Sequence, residues 1–332
     1  MANAVTTIAT NNSIGFEVIW KPLLADPKIN ALPFNIHLGK IGREFYFDQE
    51  FSAAPSLKTT CGWDFKEGTP ITKKALDPWE LDFSFEQCYT PFVKSIWGDQ
   101  LPDGAAKGEL FPEIIDRIVT KQSNAFNTNL LYATFLSSQG NGTAWLAGGD
   151  GVFAKLLAGV AANDGTVDAG AITDNDLLPA NIEATMYRIY DAQSDLMESY
   201  EDNQKVFLVT KSVAKAWKRY LQTQTGLNTI IQTEYITRGV NELSYNNVPI
   251  IVMDWVDRGI ALYDTTGSPA STLNPHRVIL TTTANHHIMI DGTGFENIDP
   301  FYDRKDDKVY SPASAMVDYL YAYGEFNVIA GF

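Results

Sequence analysis

Cysteine is scarce in this sequence: Cys61 and Cys88 are the two present in 332 residues. A pair so far apart supplies no disulfide framework and matches no compact metal-ligand spacing, so both read as reduced thiols. Histidine is nearly as rare, with four residues, which narrows the choice of a general acid or base near neutral pH. Positive charge is short as well. Twenty-five lysines and arginines against 40 aspartates and glutamates leave a formal net charge of -15. Free nucleic acid is repelled by such a chain, which excludes a general DNA-binding role. No apolar run approaches the roughly 20 residues that cross a bilayer. The opening Met1-Ala-Asn-Ala-Val-Thr-Thr7 has neither a basic start nor an apolar core, so a soluble, unsecreted chain with no membrane partner is expected. Internal repeats and low-complexity tracts are missing too.

What is present is an ordinary folded composition with one bias. Hydrophobic residues make up 45% and charged residues 20%, which excludes disorder, collagen and coiled coil. The length suits roughly two domains of about 100–200 residues, or one body with large insertions. The bias is aromatic: 7 Trp, 15 Tyr and 18 Phe combined with little charge suggest a surface covered by neighbours, and hence assembly.

Residues 1–40 hold Pro22, Pro27 and Pro33 among scattered apolar residues, with no helical or strand period, and read as an extended arm. So apolar an arm does not fit disorder and is expected to lie on its own body or on a neighbour. From Arg43 to Phe51 the pattern turns strand-like. A polar stretch around Gly68, Pro70, Lys73 and Lys74 follows, then a run in which Trp79, Leu81, Phe83 and Phe85 alternate with Glu80, Asp82, Ser84 and Glu86. Two strands around a long polar segment predict an extended hairpin, marginal in water unless its apolar face meets another surface. Pro112 stands where a first helical turn accepts proline, and Ile114, Ile115, Ile118, Val119, Phe126, Leu130 and Leu136 predict one long helix over 112–137. Gly140-Asn-Gly142 ends it.

A short helix is expected over Val152–Ala162, a loop over 163–173, and a further helix carrying Ile182, Met186, Ile189, Tyr190 and Leu196. The sharpest unit is a strand Lys205–Val209, the N-cap candidate Thr210 and a helix from Lys211 to Gln222. Strands are expected at Val248–Trp255, Arg277–Thr283, His287–Asp291 and Ala315–Ala330, the last alternating Tyr319, Tyr321 and Tyr323 with Leu320 and Ala322.

Catalysis finds little to work with. On a strand, His286 and His287 face opposite sides, while His287 and Asp291 share a side about 13 Å apart at roughly 3.3 Å per residue, too far for one metal ion. Gly140-x-Gly142 and Gly148-Gly-Asp-Gly151 complete neither a dinucleotide nor a P-loop fingerprint and read as helix-terminating turns. Asp174-Asn-Asp176 opens like a calcium loop, but Leu178 and Pro179 stand where a ligand and the glycine are required. A GxSxG nucleophile elbow is absent. The expectation is no catalytic residue, no cofactor and no metal. An enzyme would have to use His286, His287 or Asp291.

The order of apolar arm, long hairpin, long helix, β-α unit and terminal strand resembles the major capsid proteins of tailed bacteriophages, the Hong Kong 97 type fold. Leu130-Leu-Tyr-Ala-Thr-Phe-Leu-Ser-Ser-Gln-Gly-Asn-Gly142 is similar to the end of that family's spine helix. Phe207 to Leu221, then Gly226, then Tyr245-Asn-Asn-Val-Pro-Ile-Ile-Val252 is similar to its axial-domain core. The resemblance implies an α+β fold with an N-terminal arm at 1–40 and an extended hairpin loop with its return at 41–108. It further implies a peripheral domain with the spine helix at 109–200, an axial domain at 201–300 and a peripheral return strand at 301–332.

The function it implies is structural: a protomer forming hexamers and pentamers of an icosahedral phage head around double-stranded DNA. Such a protein assembles in the bacterial host cytoplasm, resides in the virion, and works with scaffold, portal and possible decoration proteins. DNA would be touched weakly and non-specifically, as the negative charge requires. No scaffolding-like segment precedes the arm, so scaffolding is expected to be separate, already removed or absent. Interface residues are expected to be Trp20, Leu23 and Leu24 in the arm, and Phe45, Phe47, Trp63, Trp79, Leu81 and Phe83 in the hairpin. For each, the core of its own chain is the alternative. Truncation of residues 1–40 is expected to leave a folded protein that assembles poorly. Encapsulin compartments share the fold and remain an alternative, as does a soluble α/β enzyme.

Overall fold

The computed structural model describes residues 6–7, 32–38, 44–48, 71–82, 84–88, 129, 132, 134–136, 148–223, 243–263, 275–291, 301–303, 305–306, 308–311 and 314–332. Its first strands are β1 Thr6–Thr7, β2 Phe34–Leu38, β3 Glu44–Asp48, β4 Ile71–Ala75, β5 Trp79–Asp82 and β6 Phe85–Cys88. After helix α1 Val152–Ala162 come β7 Val167–Asp168, α2 Ile182–Asp191, α3 Asp195–Glu198, β8 Lys205–Thr210 and α4 Lys211–Thr223. Then follow β9 Leu243–Tyr245, β10 Val248–Met253, α5 Asp254–Tyr263, β11 Val278–Thr282 and β12 His286–Asp291. The chain closes through β13 Phe301–Asp303, β14 Lys308–Ser311, β15 Ser314–Tyr321 and β16 Asn327–Ala330.

A six-stranded sheet runs in the order β7-β16-β11-β8-β10-β9. Every position of β8 is buried, because both faces of the sheet are covered, and a strand covered on both faces reads as one apolar run. Alternation sorts its side chains. Val206 and Leu208 join Ile279 and Ile329 in one core, while Phe207 and Val209 join Val278, Leu280 and Val328 in the other. Ile182, Met186 and Ile189 of α2 and Val213 and Trp217 of α4 cover the second core. The β8-α4-β10 crossover returns a strand parallel to β8, as an apolar helical face packed on a sheet requires. Asn246 and Asn247, with φ of 47° and 64°, make the two-residue turn from β9 to β10, since a tight hairpin favours positive φ at both centres.

The first core lies between this sheet and a five-stranded one ordered β1-β2-β12-β15-β5. Phe34 and Ile36 of β2, Ile288 and Ile290 of β12, Val317 and Tyr319 of β15, and Trp79 and Leu81 of β5 face it, together with Phe153 of α1 and Trp255 of α5. Two small sheets, β13-β14-β6 and the β3-β4 ribbon, complete the described architecture.

Several expectations change. The arm does carry a strand: Phe34-Asn-Ile-His-Leu38 alternates, but the prolines before it hide the period. The hairpin is real, yet its return is Ile71–Ala75 rather than the Trp79 run. That run is two strands in two sheets, with β5 on β15 and β6 on β14. Alternation fixes which face a side chain takes but not which sheet it enters. The strand from Val248 ends at Met253, and Trp255 lies in the first turn of α5 rather than at the end of a strand. The expected strand 315–330 is β15 and β16, broken by a 3-10 turn at Gly324–Phe326, and the two halves also enter different sheets. Leu196 lies in α3, which Ser194 caps by accepting from the Met197 amide. Pairing also joins segments distant in sequence: β12 pairs with the arm's β2, and β16 pairs with β11. Of the long helix, Asn129, Tyr132, Thr134, Phe135 and Leu136 are helical; the rest of 112–137 lies outside the described residues.

Candidate assembly interface

The β3-β4 ribbon pairs with no third strand among the described residues. Its register sets Phe45 opposite Lys74 and Phe47 opposite Thr72. Trp20, Leu23, Leu24, Trp63 and Phe83 lie outside the described residues. Trp79 and Leu81 are 5% and 4% exposed within the chain's own core, the alternative left open above. Gly149 makes room for the indole, since a Cβ there would stand 2.4 Å from its ring carbons. These two side chains therefore support the monomer rather than project from it.

The ribbon is tied to the body at its base by charge. Lys74 of β4 stands over the Tyr321 ring, 4.0 Å from the centroid. Burial holds its ammonium below the ordinary lysine value, opposed by Asp164 and reinforced by Lys155. Burial pushes the Asp164 carboxyl up, but hydrogen bonds from Tyr321 and Thr166, with Lys74 nearby, more than offset this and hold it low. The Tyr321 hydroxyl donates to Asp164, so burial and that carboxylate push the phenol well up. Just past β4, the Asp77 amide donates to Asp318 at 2.9 Å. Asp318, fully buried on β15, takes Lys155 of α1 on its other oxygen at 2.5 Å. Lys155 also donates to the Tyr319 carbonyl at 2.5 Å. Glycines clear the space: a Cβ on Gly159 would stand 2.3 Å from the Tyr321 hydroxyl, and one on Gly324 would stand 2.3 Å from the Asp164 carbonyl.

The arm is tied down by a strand seam. β2 lies parallel to β12, with Phe34 opposite His286 and His37 opposite Met289. The His37 and His287 rings hydrogen bond at 3.0 Å on one face. On the other, His286 is enclosed by Phe34 at 4.9 Å, the Tyr319 hydroxyl at 2.5 Å and Thr281 at 2.7 Å. The opposite facing of His286 and His287 follows the strand expectation. Among the described residues no group of three or more His, Cys, Asp or Glu is placed to hold a metal ion.

The fold does assemble one Ser-His-Asp arrangement invisible in the sequence. His276 contacts Ser212 at 2.9 Å and Asp174 at 2.8 Å. Its chemistry is poor. The Asp174 side chain is 96% exposed, so water weakens its hold on the ring. The start of α4, where amides would stabilise an oxyanion, is occupied by Asp257, which accepts from the Lys211 amide at 2.7 Å. These residues pin the Asp174 loop and the approach to β11 onto α4. They had no local signal, because Asp174 and His276 lie a hundred residues apart.

No family model matches the sequence, and no curated protein does. Solved structures do match. A chain of the satellite phage P4 procapsid with its size determination protein shares 12% identity at a TM-score of 0.58, covering 98% of this chain and 92% of that one. A Gordonia phage Cozz chain shares 11% at 0.51, covering 99% and 89%. A chain of the capsid of Myoviridae phage XM1 shares 11% at 0.50, covering 87% and 85%. Element order, the mixed α+β layers and these matches agree: the chain has the Hong Kong 97 type fold of tailed-phage major capsid proteins.

Proposed function

We propose that this chain is a major capsid protein, a structural protomer that self-assembles into hexamers and pentamers of an icosahedral phage head enclosing double-stranded DNA. The observation that carries the reading is the shared capsid fold across 98% of the chain. The ribbon supports it, because a two-stranded ribbon is marginal in water and gains stability when a neighbour covers it. The net charge of -15 suits an inner wall from which packaged DNA must slide freely. Scaffold and portal proteins, with possible decoration proteins, are the partners this reading gives the protomer, and residence in the virion after assembly in the host cytoplasm goes with them. The domain division, with arm 1–40, loop 41–108, axial region 201–300 and the remainder peripheral, is part of this proposal, as is the interface role of Trp20, Leu23, Leu24, Phe45, Phe47, Trp63 and Phe83.

The test is light scattering with negative-stain imaging of the purified protein at several salt concentrations. Rings of five or six, or closed shells, are expected. A species that stays monomeric or dimeric at high concentration and with crowding agents counts against it. Shells that enclose a co-purified protein in place of DNA point to a cargo compartment of the same fold.

A further inference from the structure

Three of the four histidines in the chain lie along a single strand pair, β2 against β12, and on both of its faces. That pair is the described junction through which the arm enters the body, since β1 pairs with β2 in the five-stranded sheet. On one face the His37 Nε2 and His287 Nδ1 atoms are 3.0 Å apart, with the rings stacked at 5.2 Å. Such a contact needs one ring nitrogen to donate and the other to accept, so it exists only while at least one ring is neutral. A proton on each puts two cations in contact.

On the other face the hydrogen bonds fix the tautomer of His286. The Thr281 hydroxyl donates to Asn327 Oδ1 at 3.0 Å, so it accepts from the ring, and Nε2 carries the hydrogen. Nδ1 then accepts from the Tyr319 hydroxyl. A second proton on this fully buried ring reverses the Tyr319 bond and places a charge beside Phe34. The geometry points to an acid-sensitive joint: protonation of the β2·β12 seam frees the arm strand while the six-stranded sheet stays folded.

The groups around the seam support this. Opposite His287 stand Asn35 of β2 and Leu320 of β15, neither of which ionises. Asp318 of β15 pairs with Met289 and is engaged by Lys155 and the Asp77 amide. Asp291, at the end of β12, pairs with Met316. Around His286 the ionisable neighbours on β15 are Tyr319 and Tyr321, both pushed up and neutral. Burial, with His37 beside it, holds His287 to about 4. Burial, with His287 beside it, holds His286 to about 3. Burial also lowers His37. All three therefore bind protons more weakly in the folded chain than when the seam opens. Stability of the seam falls as pH drops from about 6.5 toward these lower values.

Hydrogen exchange of the full chain between pH 7.5 and 4, corrected for intrinsic rates, reads the joint directly. Peptides covering 32–38 and 286–291 are expected to lose protection between pH 6.5 and 4 while a peptide covering 205–210 keeps its own. The H37Q/H287Q variant is expected to move that midpoint down by at least one pH unit, and H37Q alone by a smaller amount should the double variant fail to fold. Loss of protection in all three peptides at one pH overturns the proposal, as does a midpoint unmoved in either variant. The readout involves no shell, so it stands or falls independently of the assembly test.

Discussion

Gly331 shows how little latitude single positions have in this fold. Its φ of +83° favours glycine, and a Cβ there would stand 1.8 Å from the His276 carbonyl oxygen. Gly331→Ala is expected to destabilise by at least about 2 kcal/mol, measured by chemical denaturation, since neither backbone has a soft atom to yield. Lys155 is a harder case of the same kind. Lys155→Ala leaves Asp318 charged and fully buried, and a buried ion stripped of its partner costs about 3–5 kcal/mol. Lys155→Met with Asp318→Asn is expected to recover much of that loss, because the charge itself is removed. Neither residue announces itself in the sequence. Asp318 sits between Val317 and Tyr319 in an otherwise apolar run, and its partner lies on another element altogether.

Among the elements, the ones that read correctly carry their own punctuation. β8 and α4 meet at Thr210 with an apolar run on one side and a helical period on the other, and the structure places them within a residue of expectation. α1 is matched over its whole length, with Asn163 in the left-handed conformation closing it. The return strand of the ribbon failed for a physical reason. Ile71-Thr-Lys-Lys-Ala75 has no apolar alternation in its sequence: Lys73 and Ala75 are exposed, and among the described residues its strand pairs with β3 alone. The chemistry at its base was illegible for a different reason: Lys74 and Tyr321 are brought together by the fold, not by spacing. Lys74→Met keeps the stem over the Tyr321 ring but removes the charge near Asp164. Amides of 71–75 are expected to exchange several-fold faster, while global stability changes by less than about 1 kcal/mol.

For the whole molecule, the arm is two things at once. Residues 34–38 form an internal strand of the five-stranded sheet, with Phe34 1% exposed and stacked on Phe135 at 5.6 Å. Deleting residues 1–31 is therefore expected to leave the cooperative unfolding transition nearly in place. Deleting residues 1–40 removes β2 as well and is expected to lower its midpoint sharply, with 286–291 losing protection while the six-stranded sheet keeps its own. Calorimetry of the two truncations separates the cases, and assembly of the shorter one then reports on the arm alone. The acid response of the seam belongs to this scale too, because the strand lost on truncation is the strand released by protons.

The last strands also set a clock. β15 lies inside the five-stranded sheet and β16 inside the six-stranded one, so both sheets wait for segments made after residue 313. A ribosome-bound chain shorter than that holds β12 without its β15 partner and β11 without β16. Long-range pairing of this kind is slow and leaves strand edges open until residues 314–330 emerge. A chain built this way closes neither sheet before those residues are made, and in crowded polysomes its open edges invite pairing between half-made neighbours.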